Sequence, residues 1–298
     1  MAKGAVHSAV GFPRTVVVKT PLFLGAIRIW ETLYAAPFGY IGMVLAAGGW
    51  PGWGAFIWIT VAMTGARTLG MSANRLIHHK EDVLNPRTAN RHLPKGLLKP
   101  REVLAMMVVS TGVLFFAASQ LNGLALALAP VAAAYVVLYS YAKYYTWGCH
   151  FFLGWALGIS PSAAWIAVTG HLDPQAALLS FAVATWAGGF DVVYGCADYD
   201  FDKKYGVHSL PSKFGIATAL WVTKGLHLCA AAALLGVGLW LDLDFYYFIG
   251  WGIAVCLLAF ENSLVSANNL SKLSSPFFKY NSSISLMLLI FTVLAVAA

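Results

Sequence analysis

The chain has 298 residues, of which 59% are hydrophobic and only 10% charged. A soluble domain carries about 25% charged residues, and the 19 Lys and Arg with the 12 Asp and Glu present here cannot cover the surface of a fold this size. That excludes a soluble enzyme, a nucleic-acid-binding module and a disordered chain, and leaves a polytopic membrane protein whose solvent is the lipid bilayer.

In chain order, Lys3 to Lys19 is too polar for the apolar region of a signal peptide, so the first span is expected to be retained. A bilayer core of about 30 Å takes roughly 20 apolar residues per helix. Such runs lie at 21–49, 53–73, 102–120, 124–142, 149–169, 175–194, 215–240, 245–267 and 278–298. They predict an all-α chain of nine membrane-spanning helices forming one domain over 1–298, with no low-complexity segment and no sharp internal repeat. Cys149, Cys196, Cys229 and Cys256 sit in apolar or near-apolar stretches without metal-ligand spacing, which argues against both a disulfide framework and a zinc site.

The basic residues set an orientation for that count. With the N-terminus on the cytoplasmic side, the inside segments are 1–20, 74–101, 143–148, 195–214 and 268–277, and they hold 15 of the 19 Lys and Arg, Lys3 and Lys272 among them. Arg28, Arg67, Lys224 and Lys279 lie within the inner ends of spans one, two, seven and nine. The outside loops near 50, 121, 171 and 242 carry only Asp173, Asp242 and Asp244. This is the asymmetry that the positive-inside rule describes for an N-in, C-out chain.

Two polar cassettes interrupt the apolar pattern on that inner side. The first occupies the segment 74–101 and contains Asn74, His78 and Asp82 at i, i+4 and i+8, one face if the helix of span two continues. The second precedes and enters the segment 195–214, with Asp191, Asp198 and Asp202 at i, i+7 and i+11, again one helical face. Carboxylates so close repel unless a cation sits among them. Hard oxygen donors at helical spacing suit Mg²⁺, which takes one or two carboxylates together with substrate phosphates. The bland alternatives are a solvated acidic loop for the second cassette and a topology anchor for the first. Acids at a membrane boundary are costly and usually functional, and two cassettes on one side strengthen that reading.

At these residues the sequence resembles the UbiA-type membrane-embedded aromatic prenyltransferases. That family carries Asn-Asp-x-x-Asp-x-x-x-Asp and Asp-x-x-x-Asp motifs after spans two and six of nine. The 4-hydroxybenzoate polyprenyltransferase-like branch, including the futalosine-route menaquinone enzymes, has Asn-Arg and then Asn-Pro-Arg-Thr, as Asn74-Arg75 and Asn85 to Thr88 do here. The likeness also covers Thr32 to Gly42, Gly65 to Thr68, Trp147 to Gly170, Asp191 to Gly215 and Leu270 to Asn281.

The resemblance implies a helical bundle around a central cavity in a prokaryotic cytoplasmic membrane, open to the cytoplasm. It implies a polyprenyl diphosphate held through Mg²⁺ on Asp82, Asp191, Asp198 and Asp202. Arg67, Asn74, Arg75, His78, Lys143, His150 and Lys203 would meet the diphosphate or an aromatic acid acceptor, and Tyr194 would steady an allylic cation. A hydroxybenzoate-like acceptor follows from the branch, with a hydroxynaphthoate as the alternative. For Arg67 and Lys143, snorkelling to the interface is the competing explanation, and for Tyr194 it is plain packing.

The chain departs from the family where His78 replaces the middle Asp of the first motif, His79 a basic position, and Tyr144 a basic position after Lys143. Imidazole is a poor Mg²⁺ ligand and suits borderline metals better. Either one metal position is weakened, or a protonated His78 with Arg75 and Lys80 grips diphosphate directly. Glu81 lies about 60° off the helical row, though a loop could turn it inward. A catalytically silent isoprenoid-binding homologue is therefore the reading from another class. A transporter fits poorly, because the ionisable residues gather at one face rather than near the midplane.

Lesser features have structural explanations. Gly154-x-x-x-Gly158 suits close helix packing, Trp53, Trp58, Trp240 and Trp251 suit an outer aromatic belt, and Asn281 suits a cap or interhelical hydrogen bond. Glu31 and Glu261 lie inside spans, so each should face the bundle or a cavity.

Overall fold

The computed structural model describes residues 12–28, 32–267, 269, 270, 273 and 275–298. Lys3, Glu31 and Lys272, and the side chains of Arg14 and Lys279, lie outside the described residues. Among those described, every regular element is helical: α1 (Phe12–Ala26), α2 (Thr32–Ala47), α3 (Trp53–Ile77), α4 (His79–Leu84), α5 (Pro100–Ser119), α6 (Gly123–Leu138), α7 (Ala142–Tyr145), α8 (Cys149–Thr169), α9 (Pro174–Ala197), α10 (Tyr199–Tyr205), α11 (Leu210–Phe214), α12 (Ile216–Trp240), α13 (Phe245–Ser263) and α14 (Ser275–Ala297). Six are long and apolar enough to cross a membrane: α5, the Gly123–Tyr145 run of α6 and α7, α8, α9, α12 and α13. α2 and α14 supply shorter apolar stretches at Ala36–Ala47 and Asn281–Ala297.

Local chemistry sets the helix ends. Asn122 accepts from the Ala125 N–H at 2.9 Å and starts α6, and Asp244 accepts from the Tyr246 N–H at 3.1 Å and starts α13. Pro100 opens α5, where Glu102 reaches back to the Lys99 N–H at 2.8 Å. The expected first span, 21–49, is not one continuous helix: α1 ends at Ala26, residues 27 and 28 form a turn with Arg28 at φ 50, and α2 starts afresh at Thr32.

α9 is the hub. Buried residues make up 72% of its apolar window, and it packs extensively on α8 and α12. Phe38 of α2, Trp165 of α8, Leu179 and Trp186 of α9, Leu234 of α12, Leu258 of α13 and Leu288 of α14 join in one apolar cluster around it. The Gly154/Gly158 pair does what its spacing suggested. A Cβ on Gly154 would run into the Ala184 carbonyl, and one on Gly158 would stand 2.7 Å from the Ser180 carbonyl, so α8 and α9 meet backbone to backbone. Ser162 reinforces that seam by donating to the Ala176 carbonyl at 3.0 Å.

Both cassettes are broken helices. α3 ends at Ile77, His78 takes φ −91 and ψ 18, and α4 restarts at His79. α9 ends at Ala197, Asp198 takes φ −98 and ψ 7, and α10 restarts at Tyr199. The continuous faces expected for Asn74, His78 and Asp82, and for Asp191, Asp198 and Asp202, are therefore not formed. Each break instead starts a short acidic helix after its parent. His78 and Asp198 take equivalent places, accepting on their carbonyls from the N–H groups of Asp82 at 2.9 Å and Asp202 at 2.8 Å.

Candidate functional site

The two broken helices face one another across a cavity of about 290 Å³. Along α9 the wall runs Trp186, Phe190, Asp191, Tyr194, Asp198. The twelve steps from Trp186 to Asp198 span about 18 Å, from an apolar end shared with Leu153 and Leu157 of α8 to a charged end. The lining brings together Glu81, Asp82, Asp191, Asp198 and Asp202 with Arg28, Arg67, Arg75, Arg87, Arg91 and Lys143. Charges of both signs in near balance suit a polyanion that arrives with a cation.

The acids are held individually. Arg87 binds Asp198 through two bonds, Nε to Oδ1 at 2.8 Å and Nη2 to Oδ2, and Asn85 Nδ2 donates to Oδ1 at 3.1 Å. Burial alone would raise the Asp198 carboxyl, but the Arg87 hydrogen bonds and charge outweigh it and hold it below the usual carboxylate range. Arg91 grips both oxygens of Asp82 at 2.6 and 2.8 Å. Asp202 is different. It is 4% exposed, its Oδ2 has no hydrogen-bond partner, and burial pushes its carboxyl upward against the pull of Lys143.

His78 lines the cavity with its ring 5.4 Å from that of Tyr144, whose hydroxyl donates to the Ile77 carbonyl at 3.1 Å and closes the helix break. Burial, followed by the Lys143 charge, lowers the His78 pKa to about 4. Without a ligand, burial therefore favours the neutral ring over the protonated His78 grip. Its Nε2 is buried and without a partner, as is Oε2 of Glu81, which the α3–α4 break has turned into the cavity. Lys80 is exposed and is not part of the lining.

Two expected residues lie outside the cavity lining. His150 is fully buried behind the wall, and its Nε2 accepts from the Leu210 N–H at 3.3 Å. That leaves the proton on Nδ1, which donates to Asp191 Oδ2 at 2.6 Å, so His150 orients Asp191 and does not meet a ligand. Lys203 is exposed and donates to the Tyr199 hydroxyl at 3.2 Å. Arg67 and Arg75 reach the cavity while bonding the Arg28 carbonyl at 3.4 Å and the Ala26 carbonyl at 3.2 Å, and Asn74 donates to Ser140 Oγ at 3.3 Å.

Arg87 and Arg91 escaped the sequence reading as site residues. The signal was there in the Asn-Pro-Arg-Thr run. Their position in irregular chain, with no helical phase, hid which way they point.

A family model described as "UbiA prenyltransferase family" matches residues 35–283. The chain belongs to the UbiA prenyltransferase family. It is an integral membrane protein and an enzyme of the transferase class. It is 31% identical over 246 residues to the 4-hydroxybenzoate octaprenyltransferase of Aeromonas salmonicida (strain A449), covering 80% of each chain. With the enzyme of the same name from Aliivibrio fischeri (strain ATCC 700601 / ES114) the identity is 30% over 227 residues and 76% of each. The apo structure of a UbiA homolog from Aeropyrum pernix K1 superimposes with a TM-score of 0.82 at 26% identity, over 90% of this chain and 98% of that one. A UbiA homolog from Archaeoglobus fulgidus bound to GPP and Mg²⁺ superimposes at 0.71 with 15% identity, over 93% and 100% of the two chains, which establishes the shared fold alone.

Proposed function

We propose that this UbiA-family enzyme transfers a polyprenyl group from a polyprenyl diphosphate to a hydroxybenzoate-like aromatic acid in quinone biosynthesis. The observation that carries the reading is the graded cavity lining, charged toward the Asp198 end of α9 and apolar toward Trp186. A diphosphate head and an isoprenoid tail have the same polarity profile. The curated relatives named for 4-hydroxybenzoate support the acceptor class.

Mg²⁺ suits the residues present. Asp202 Oδ2 is a buried oxygen without a partner on a residue lining the cavity. No three His, Cys, Asp or Glu gather into a metal cage among the described residues, and Mg²⁺ does not need one, since it binds through one or two carboxylates plus phosphate oxygens and water. Asp202 would hold it through its free Oδ2, with Asp198, Asp191 and Asp82 nearby; when bound it would neutralise charge developing on the departing diphosphate.

The chain's own residues do the rest. Arg67, Arg75 and Lys143 supply cationic donors to the diphosphate oxygens. Cleavage of the allylic C–O bond releases diphosphate, and the resulting cation faces Tyr194 and Phe190, whose rings lie 6.2 Å apart. The apolar end keeps water from quenching it. An electron-rich ring carbon then forms the new C–C bond, and the ring loses a proton to restore aromaticity. In this reading nine helices span the membrane, the N-terminus is inside, and the cavity opens to the cytoplasm.

Asn74-Arg75 with Asn85 to Thr88 favours a hydroxynaphthoate as the second acceptor candidate, and His78 favours a silent homologue as the competing class. Detergent-purified protein incubated with a labelled polyprenyl diphosphate, Mg²⁺ and 4-hydroxybenzoate or a hydroxynaphthoate tests these together. The expected outcome is a prenylated acid whose rate falls by roughly 100-fold or more in Asp202→Ala. Unchanged product formation in Asp202→Ala would overturn the site, and diphosphate binding without product from any acceptor would establish the silent homologue.

A further inference from the structure

We infer that His78 and Glu81 make the first cassette a nitrogen–oxygen cation position that selects a borderline divalent metal such as Co²⁺ over Mg²⁺. The inference rests on the diphosphate reading of the cavity and concerns which metal accompanies the diphosphate there.

The two cassettes are built alike, so one calibrates the other. Each is a long helix, a single break residue and a short helix, with φ and ψ of −91 and 18 at His78 and −98 and 7 at Asp198. Each break residue accepts on its carbonyl from the N–H of the acid four positions on. His78 therefore presents an imidazole from the backbone setting in which the second cassette presents a carboxylate.

The donor atoms available follow from the hydrogen bonding. Asp82 is occupied on both oxygens by Arg91. Of the first cassette's buried atoms without partners, His78 Nε2 and Glu81 Oε2 are on residues lining the cavity, whereas His79 Nδ1 is not. Mg²⁺ demands oxygen donors and sheds water reluctantly. Imidazole nitrogen raises the affinity of a site for Co²⁺ and the later divalent metals, whereas carboxylate, phosphate and water suit Mg²⁺ and Mn²⁺. One nitrogen and one carboxylate do not complete a coordination shell, and no third His, Cys, Asp or Glu joins them among the described residues. Diphosphate oxygens and water must supply the remainder, so cation and diphosphate bind together.

Pulsed electron paramagnetic resonance on the full chain in detergent tests this without turnover. Mn²⁺ is the probe, with and without inorganic pyrophosphate. The expected result is ¹⁴N modulation from an imidazole ligand only when pyrophosphate is present, lost in His78→Asp and His78→Gln but kept in His79→Gln. Co²⁺ should displace the nitrogen-coupled Mn²⁺ from the native protein at a lower concentration than Mg²⁺ does. That advantage of Co²⁺ over Mg²⁺ should shrink by about 10-fold in the His78→Asp variant. Pyrophosphate-dependent Mn²⁺ binding without ¹⁴N modulation, or modulation that survives both His78 substitutions, would overturn the inference while leaving the diphosphate site standing. Absence of any pyrophosphate-dependent Mn²⁺ binding to the native protein would overturn both.

Discussion

Among single residues, the arginines of the 85–91 segment decide the resting electrostatics. Asp82 and Asp198 are 5% and 7% exposed, too buried to remain charged without partners. Arg91 supplies both bonds to Asp82 from a side chain 24% exposed, whereas Arg87 is 48% exposed and shares Asp198 with Asn85. Arg91→Ala should therefore cost more stability than Arg87→Ala, about 2–3 kcal/mol for the former. The latter should be smaller, because solvent screens a half-exposed partner. Thermal melting in detergent without metal reads the order, and adding Asp82→Asn to Arg91→Ala should recover part of the loss. Equal melting temperatures for the two single variants would contradict this account.

Elements are set against one another by close backbone contact in some places and open space in others. Gly154→Val should push α8 off α9, because its Cβ would meet the Ala184 carbonyl and lie 3.0 Å from the Gly188 nitrogen. The expected cost is about 1–3 kcal/mol. A methyl group on Gly112 of α5 would find nothing within 4 Å, so Gly112→Ala should leave stability unchanged or raise it by up to about 1 kcal/mol through helix propensity. Melting curves of the two variants, moving in opposite directions, would check the packing. Helix positions of this kind were legible in the sequence, since small residues four apart need only helical geometry to share a face. The breaks at His78 and Asp198 were not. Neither position has a Pro or Gly that would announce a helix end, and the breaks are seen only where Asp82 and Asp202 fold back toward the cavity.

The whole molecule has a polarity that follows from where its charges sit. The loops near 121 and 171 are free of Lys and Arg and the segments 74–101 and 195–214 are rich in both, so the positive-inside rule predicts Lys95 and Lys204 on the inner side and Gln120 and Leu172 on the outer. In a Cys-free background, Gln120→Cys and Leu172→Cys should react with an impermeant maleimide in intact cells, whereas Lys95→Cys and Lys204→Cys should react only after permeabilisation. All four positions are exposed, so burial would not account for a silent thiol. Labelling of Lys95→Cys from outside would reverse the orientation. Membrane residence, the approximate helix stretches, the positions of the two cassettes and the family were all readable from the chain alone, because hydropathy and motif spacing are local properties. Tertiary structure decided what became of each charge. It tied Asp82 and Asp198 to arginines, hid His150 behind Asp191, left Lys203 outside the cavity lining, and turned Glu81 and His78 inward with unsatisfied donor atoms. Those outcomes depend on distances between segments up to 113 positions apart, and periodicity along one segment carries no information about its partner across the cavity.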